Sequence, residues 1–332
     1  MKFILNLTLL ASLSFLFSCN GNERKPDEEE GDDTTTQAVV SNPFNMDSAY
    51  AYVQKQVDFG PRVPNTEAHN QCAEWLKAML QKWSDTVYVQ NFTAKNYKGE
   101  EWRGVNLIGT FNPQNRERLL LCAHWDTRPW ADQDTKNPNT PSDGASDGAS
   151  GVGVLLEIAR QLHLKKPALG IDILFFDLED GGDNEGEVSN SWCLGSQYWA
   201  RHLHVPDYRA KNGILLDMVG GRNALFAREA MSIRFDNNFL GEVWNTAASI
   251  NFGNYFINYT KAGITDDHVY VSYEAKVPTI DIIEYNPNTT SGFGKYWHTH
   301  DDNMSVIDKN TLNAVGKTVL QVVLKRDAVP TP

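Results

Sequence analysis

Apolar positions along this chain switch repeatedly between helical and strand-like spacing. Helical spacing covers 47–57, 66–83, 151–164, 238–250 and 311–326. Strand-like runs cover 86–92, 105–111, 118–123, 171–176, 214–216, 255–259 and 279–283. The run 171–176 is apolar throughout, which is typical of a central strand covered on both faces. This alternation predicts a single α/β domain with a central, mixed, mostly parallel β-sheet sandwiched by α-helices.

The N-terminal segment has a different pattern. Lys2 precedes a largely apolar run, and Leu16-Phe17-Ser18-Cys19 resembles the lipobox of bacterial lipoproteins, in which the chain is cut before a cysteine that becomes lipidated. An ordinary signal peptide with an incidental cysteine is the alternative. We expect residues 1–18 to be a lipoprotein signal peptide and residues 19–41 to be an acidic, polar linker after lipidated Cys19. The resemblance implies an exported bacterial lipoprotein, bound to a membrane through Cys19 and facing the periplasm or anchored in the outer membrane.

The overall charge narrows the range of partners. The formal net charge is -12, which argues against a nucleic-acid partner because phosphate binding needs clustered lysine and arginine. Six acids within residues 26–33 supply half of that charge, so the rest of the chain is only mildly acidic. Apolar residues make up 41% of the chain, enough for a substantial core.

Apart from Cys19, the chain has three cysteines: Cys72, Cys122 and Cys193. An odd number leaves at least one free thiol. Cys72 lies on the apolar stripe of a predicted helix and Cys122 within a predicted strand, so we expect both in the core. The absence of a closely spaced pair argues against a structural zinc finger.

Polar clusters follow three of the predicted strands. His124-Trp125-Asp126 follows one, Asp177-Leu178-Glu179-Asp180 another, and Asp217 ends a third. Ligands of open α/β sheets bind just outside the carboxyl ends of the strands. We therefore expect these three clusters to meet in one crevice, and we place His69, in an early helix, away from them.

Two further features suggest a metal site in that crevice. Asp147 lies in a glycine-rich turn before a helix, where tight backbone bending can direct its carboxylate into the crevice. Glu179 and Asp180 are adjacent, so one can bind a metal while the other stays free as a base. His298 adds an imidazole after a late strand. One histidine with two carboxylates suits a catalytic zinc ion whose fourth position is open.

Five motifs occur together in the order found in the zinc aminopeptidase superfamily, which the chain resembles from about residue 45 to its C-terminus. They are Gly144-Ala145-Ser146-Asp147, Phe175-Phe176-Asp177-Leu178-Glu179-Asp180, Leu215-Leu216-Asp217, Asp266-Asp267-His268 and Trp297-His298-Thr299. Within that superfamily the chain is most similar to glutaminyl cyclases (glutaminyl-peptide cyclotransferases), particularly the bacterial enzymes of the animal type. The resemblance implies a zinc-dependent catalytic domain over residues 42–332 with the zinc aminopeptidase-like fold.

The cyclase resemblance implies one zinc ion per chain, bound by Asp147, Asp180 and His298. Such enzymes convert the N-terminal glutamine of peptides or proteins to pyroglutamate and release ammonia. Glu179 would carry the proton from the α-amine to the departing ammonia. Asp217 and Asp266 would hold Glu179 in place or share a proton with it.

The alternative is a di-zinc aminopeptidase that removes N-terminal residues. It would use all five metal-capable positions, namely His124, Asp147, Asp180, Asp217 and His298. We assign His124, Asp267 and His268 to the surroundings of the zinc site or to a second metal.

Two features favour the cyclase over the aminopeptidase. Asp266 stands where many aminopeptidases have a small residue, and Trp297 directly precedes the histidine ligand. Trp297 and Trp192 are the candidate substrate-binding aromatics, with Trp130 as a further candidate for the same wall. A third possibility, a non-catalytic binding module on this fold, is disfavoured because such relatives generally lose the acids that are all present here.

The sequence departs from the animal cyclases in three respects. Asp180 stands where those enzymes usually carry glutamate, which shortens the ligand by one methylene. The loop 181–191 is longer, so Trp192 is only a candidate for the family's substrate-stacking tryptophan. The animal disulfide near the metal site has a counterpart in Cys122 but no partner for it, so we expect no disulfide there.

Overall fold

A computed structural model describes residues 42–328. The predicted signal peptide, Cys19 and the acidic linker lie outside these described residues, as do the last four residues. Within the described part of the chain, no helix is both long enough and apolar enough to cross a membrane.

The described residues form seven helices and eight strands. The helices are α1 (Met46–Val57), α2 (Glu67–Trp83), α3 (Ala149–Lys165), α4 (Leu194–Arg201), α5 (Ala230–Ser249), α6 (Asp267–Tyr273) and α7 (Lys309–Asp327). The strands are β1 (Thr86–Lys95), β2 (Glu101–Phe111), β3 (Arg118–His124), β4 (Gly170–Phe176), β5 (Asn212–Asp217), β6 (Phe226–Glu229), β7 (Phe256–Lys261) and β8 (Thr279–Ile283). Every predicted helix and strand is present, and α4, β6 and α6 are additional.

Six strands form the central sheet in the order β1-β2-β4-β3-β5-β8. The four strands β4, β3, β5 and β8 are parallel to one another, whereas β1 and β2 extend the sheet antiparallel at one edge. The predicted mixed, mostly parallel sheet is confirmed. The strands β6 and β7 form a separate parallel pair.

Helices cover both faces of the sheet. The larger core joins one sheet face to α1, α2, α3, α5 and α7, and a smaller core joins the other face to α4 and α6. Strand β3 illustrates the alternation, because Leu119 and Leu121 belong to the larger core while Leu120 and Cys122 belong to the smaller one. Cys72 and Cys122 are fully buried, as predicted, and the three cysteines of the described chain are free thiols.

Helix α5 begins earlier than its apolar spacing indicates. Its predicted start near residue 238 corresponds to a kink at Asp236, whose backbone leaves the helical region. The Asp236 carboxylate accepts a hydrogen bond from the Phe239 backbone N–H and so caps the second segment. The first segment begins at Ala230, where the Glu229 carboxylate accepts from the N–H groups of Met231 and Ser232.

Candidate functional site

The predicted polar clusters meet at one edge of the sheet. Strand β3 lies between β4 and β5, so His124 at the end of β3 lies beside Glu179 after β4 and Asp217 at the end of β5. After β3 the chain continues to β4 on one side of it, and β5 follows on the other side. Connections that run to opposite sides of a strand leave a crevice at the carboxyl ends of the strands.

Three side chains from distant segments converge in this crevice, and we call Asp147, Asp180 and His298 the metal triad. His298 Nε2 lies 3.2 Å from Asp180 Oδ1 and 3.8 Å from Asp147 Oδ2. One ligand atom from each of the three lies within 4.8 Å of the other two. For tetrahedral zinc with ligands at about 2.0–2.1 Å, neighbouring ligand atoms are about 3.3 Å apart, so the spacing suits a zinc ion.

The electrostatics of the metal triad also fit a bound cation. Among the described residues, Asp180 Oδ1 accepts no hydrogen bond although it is buried. Burial and the neighbouring Asp147 carboxylate raise the pKa of Asp180. Two buried carboxylates that face each other are stabilised by a cation between them or by a proton on one of them. The donor set of one imidazole and two carboxylates is one that zinc prefers.

A buried arginine and an aspartate support the metal triad from behind. Asp132 Oδ1 lies 3.2 Å from His298 Nδ1, which leaves Nε2 directed at the triad. The Arg128 guanidinium donates two hydrogen bonds to Asp132, and its Nη1 lies 3.6 Å from Asp180 Oδ1. Burial lowers the pKa of His298, but the Asp180 carboxylate and, after it, the hydrogen bond with Asp132 raise that pKa to about 9. Neither Arg128 nor Asp132 was predicted, because both lie in an aperiodic loop.

The turn that carries Asp147 is held from two sides. The Asp302 carboxylate accepts hydrogen bonds from the backbone N–H groups of Ser146 and Asp147, at 2.7 and 3.1 Å. The buried Arg62 guanidinium donates to the carbonyl oxygens of Asp143 and Gly144. As predicted, the Asp147 side chain faces the crevice, and α3 has no side-chain cap at its first turn.

The turn that carries Glu179 and Asp180 is fixed by two more carboxylates. Asp126 accepts hydrogen bonds from the backbone N–H groups of Glu179 and Asp180. Asp177 accepts from the N–H of Leu178 and lies 2.9 Å from His69 Nε2. The prediction that His69 lies away from the polar clusters is therefore wrong: 108 residues separate it from Asp177, and only the folded sheet brings them together.

Glu179 and Asp266 face the same cavity, and we call these two carboxyls the acid pair. Their nearest ligand atoms lie within 4.8 Å of each other and of the Cys193 sulfur. Burial is the main cause that raises the pKa of both carboxyls, and the pKa of Asp266 reaches about 7. The Asp180 carboxylate raises the pKa of Glu179 further, and the Asp217 carboxylate does the same to the pKa of Asp266. The acid pair can therefore hold and exchange a proton near neutral pH.

A second group of metal-capable residues shares Asp147, and we call His124, Asp147 and Asp217 the His124 cluster. His124 Nε2 lies 2.9 Å from Asp147 Oδ1 and 3.3 Å from Asp217 Oδ1. His124 is 1% exposed and, unlike the other two, does not line the crevice. The carboxylates around it raise the pKa of its imidazole against the effect of burial, so it is a cation held among acids.

The cavity between these groups has a volume of about 530 Å³. The metal triad and the acid pair form its floor, and aromatic rings form part of its wall. The Trp297 ring stacks on His298 at a centroid distance of 3.8 Å, and the Trp192 ring lies nearly parallel to His298 at 6.1 Å. Trp130 does not line the cavity and packs instead against Tyr97 and the Arg128 guanidinium.

Asp267 and His268, the two remaining predicted site residues, lie behind the wall of the cavity. Asp267 is fully buried at the start of α6, and burial together with Asp266 raises its pKa. His268 Nε2 lies 3.2 Å from Glu229, so this histidine belongs to a buried group behind Asp266 and not to the metal triad. Neither residue lines the cavity.

Four residues at the site hold the backbone in the left-handed region. Leu178, Cys193, Met218 and His298 have φ values between 47° and 59°. Each is a site residue or adjoins one, and left-handed conformations are unfavourable for side chains of this size. Local backbone strain at these four positions therefore accompanies the convergence of the site residues on one cavity.

The chain matches a known family over most of the described residues. A family model described as peptidase family M28 matches residues 106–323. A crystal structure of a glutaminyl cyclase from Tannerella forsythia is 52% identical, covers 84% of this chain and 98% of that one, and superposes with a TM-score of 0.83. A zinc-dependent exopeptidase from Parabacteroides distasonis is 51% identical over 85% of this chain and 99% of that one, with a TM-score of 0.84.

An animal relative is more distant. The glutaminyl-peptide cyclotransferase of Bos taurus is 27% identical over 250 residues, which are 65% of this chain and 64% of the bovine enzyme. The chain thus spans slightly less than two thirds of the bovine enzyme's length. The same fold is therefore shared by proteins described as cyclases and as exopeptidases.

Proposed function

The chain belongs to peptidase family M28, and we propose that within this family it is a glutaminyl-peptide cyclotransferase and not a peptidase. It converts the N-terminal glutamine of peptides or proteins to pyroglutamate and releases ammonia. The bacterial relative that is named a glutaminyl cyclase, at 52% identity, supports this assignment.

We rest the proposal on the acid pair beside the metal triad. Glu179 lies next to Asp180 in the chain, yet its side chain contacts Cys193 and faces Asp266. Cyclisation needs a group that takes up a proton and returns it, without an activated water. A carboxyl with a raised pKa, coupled to a second carboxyl, suits that task.

We propose that the metal triad holds one zinc ion. A zinc ion bound there supplies a Lewis acid for the γ-carbonyl group of the substrate glutamine. The short contact of 2.9 Å between His124 Nε2 and Asp147 Oδ1 is a hydrogen-bond distance, below the ligand spacing of about 3.3 Å around tetrahedral zinc. This contact supports a role for His124 in positioning Asp147.

In the proposed reaction the substrate α-amine nitrogen attacks the γ-carbonyl carbon, and the new C–N bond closes a five-membered ring. Glu179 accepts the proton that the amine loses and donates it to the amide nitrogen that leaves as ammonia. Asp266 stabilises the protonated and deprotonated forms of Glu179 by sharing a proton. Asp217 Oδ1 lies 3.3 Å from His124 Nε2, the atom that also contacts Asp147, so Asp217 supports the metal triad through His124 in addition to the acid pair. Trp297 and Trp192 exclude water beside the glutamine side chain.

The test combines two measurements on the purified protein. Mass spectrometry of a peptide that begins with glutamine should show loss of the mass of ammonia, with every residue retained. Zinc quantitation should give one zinc per chain. Release of the first residue with two zincs per chain would instead identify a di-zinc aminopeptidase that uses the His124 cluster. A protein without zinc or turnover would be a binding module.

We also propose that the protein is an exported lipoprotein anchored through Cys19. The motif Leu16-Phe17-Ser18-Cys19 supports this proposal. Expressed with its own leader in a Gram-negative host, the protein should fractionate with membranes and begin with an acylated cysteine by mass spectrometry. The variant Cys19→Ser should lose the acyl mass, and an unmodified N-terminus in the unaltered protein would refute the anchor.

A further inference from the structure

The thiol of Cys193 lies against the proposed base. Its Sγ is 3.2 Å from Glu179 Oε1 and donates a hydrogen bond to it. The backbone N–H of Cys193 also donates to the carbonyl oxygen of Glu179, at 3.0 Å. The two residues are thus fixed against each other by both side chain and backbone, although fourteen positions separate them.

Asp266 completes a group of three possible ligands around this thiol. Ligand atoms of Glu179, Cys193 and Asp266 all lie within 4.8 Å of one another. Asp266 is 4% exposed, and within the described part of the chain its Oδ2 has no hydrogen-bond partner. Asp266 thus brings a buried carboxylate with an unpartnered oxygen to a group that also offers a thiol and a second carboxylate, and a bound cation stabilises such a group.

We propose that Glu179, Cys193 and Asp266 form a second, inhibitory metal site for soft divalent cations such as Cd²⁺ or excess Zn²⁺. A thiolate with two carboxylates is a donor set that favours such cations over magnesium or calcium. On binding, the thiol proton is released to solvent and the sulfur bonds the metal. The bound metal occupies both carboxyls of the acid pair, so the proposed base can no longer accept a proton.

The geometry gives this site an access route and separates it from the metal triad. Glu179 and Asp266 line the cavity, whereas Cys193 is fully buried behind them, so a cation enters from the cavity side. Neither the metal triad nor the His124 cluster contains sulfur. A metal–thiolate signal that depends on Cys193 therefore reports on the new site and on neither of those two groups.

The test is a titration of the zinc-loaded protein with Cd²⁺, followed by ultraviolet absorbance and by turnover. The thiolate–Cd²⁺ charge-transfer band should appear and saturate at one Cd²⁺ per chain, in parallel with loss of activity. Cys193→Ser should abolish the band and raise the Cd²⁺ concentration for half inhibition at least about tenfold, when the rate of each zinc-loaded variant is compared with its own rate without Cd²⁺. Cys122→Ser is the matched control, because Cys122 is an equally buried thiol within β3, and it should retain both effects.

Asp266→Asn provides a second variant that keeps the thiol. It should shift the absorbance titration to at least about tenfold higher Cd²⁺, whether or not the variant turns over substrate. Absence of a charge-transfer band in the unaltered protein, or its persistence in Cys193→Ser, would refute the site. The expected inhibition rests on the proposed role of Glu179, whereas the absorbance band does not. A band without inhibition would therefore support the metal site and contradict the proposed role of Glu179 as the base.

Discussion

The metal triad and the acid pair both contain buried carboxyls, yet the groups that surround those carboxyls differ. Asp180 of the metal triad lies within 3.6 Å of both His298 and Arg128. Glu179, its neighbour in the chain, faces Asp266 and a neutral thiol. The pKa is raised for Asp180 as well as for Glu179 and Asp266, but Asp180 has two cationic groups close to it. Glu179 and Asp266 instead adjoin each other and a thiol, and the nearest imidazole, His124, lies 4.0 Å from Glu179.

This difference shows that the neighbours of a carboxyl determine its task. Asp180 and Glu179 leave the same strand end, and the Asp126 carboxylate holds both of their N–H groups. Their side chains point in different directions, one to a site for a cation and the other to a site for a proton. The predictions below test whether the two tasks can be separated.

The largest expected effect comes from removing the proton carrier of the acid pair. Glu179→Gln keeps the size and the hydrogen-bonding oxygen of the side chain but cannot exchange a proton. Turnover of a glutamine peptide should fall by roughly 10²–10⁴, the range of general acid–base catalysis, while the zinc content stays unchanged. Ammonia release and zinc quantitation on the same preparation measure the two quantities.

The matched control is Glu187→Gln. Glu187 is an exposed glutamate of the loop that follows Glu179, and it does not line the cavity. This variant should keep full turnover. Near-normal turnover of Glu179→Gln itself would remove Glu179 from the mechanism.

The metal triad and the His124 cluster can be distinguished by a pair of variants. Asp180→Ala removes one ligand of the metal triad and should lower zinc affinity by at least about a hundredfold, so that the purified protein loses its zinc on dialysis against a mild chelator. His124→Asn removes the imidazole from the other cluster around the shared Asp147, and it should still retain one zinc per chain. A drop from two zincs to one in His124→Asn would establish a di-zinc site.

The parts of the site that the sequence predicts are those attached to regular strands. The continuous apolar run of β4 and the short run of β5 locate the strand ends, and Glu179, Asp180 and Asp217 follow those ends directly. Parallel strands place such ends on one edge of the sheet, which is sufficient to bring these side chains together. The helices α4 and α6 escaped prediction because two helical turns offer too few positions for a period of 3.6 residues.

The supporting residues could not be predicted for a different reason. Asp132 and Arg128 lie in a loop without periodicity, and their roles arise from contacts with His298 and Asp180 in other segments. His69 lies in helix α2, whereas its partner Asp177 directly follows strand β4 of the central sheet. Each of these contacts depends on the tertiary packing, which local spacing does not encode.

Asp132 tests how much the metal triad depends on its support. Asp132→Asn removes the charge beside His298 Nδ1 and weakens the orientation of the imidazole. Zinc affinity should fall by about 10–100-fold, as is typical when the partner of a ligating histidine is lost, and competition with a chromophoric chelator measures it. Asp301→Asn, which alters an exposed aspartate near His298, should leave the affinity unchanged. An unchanged affinity in Asp132→Asn would mean that stacking by Trp297 alone orients the histidine.

The acid pair should also affect the pH dependence of stability. Asp266 has a pKa of about 7 in the fold, because of burial and Asp217, against about 3.9 in an unfolded chain. Between these values the folded protein binds more protons than the unfolded chain, so this group's contribution to stability is present below about pH 4 and is lost as the pH rises through about 7. Asp266→Asn stays neutral, so its melting temperature relative to the unaltered protein should rise by about 2–4 °C between pH 5 and pH 8. A constant difference across this range, measured by thermal denaturation, would show that Asp266 is ionised throughout.

The smallest expected effect concerns the aromatic wall that both the metal triad and the acid pair adjoin. An aromatic contact contributes about 0.5–1.5 kcal/mol, so Trp297→Leu and Trp192→Leu should each raise KM for a glutamine peptide by about 2–10-fold, with the larger change for Trp297, whose ring stacks on His298. Trp83→Leu is the matched control, because Trp83 is a half-buried ring that packs against His163 and does not line the cavity, and its KM should be unchanged. Steady-state kinetics with a series of glutamine peptides would give the three values. If Trp297→Leu lowered kcat and left KM unchanged, the ring would act on the orientation of His298 and hence on the metal triad, and not on the binding of the substrate.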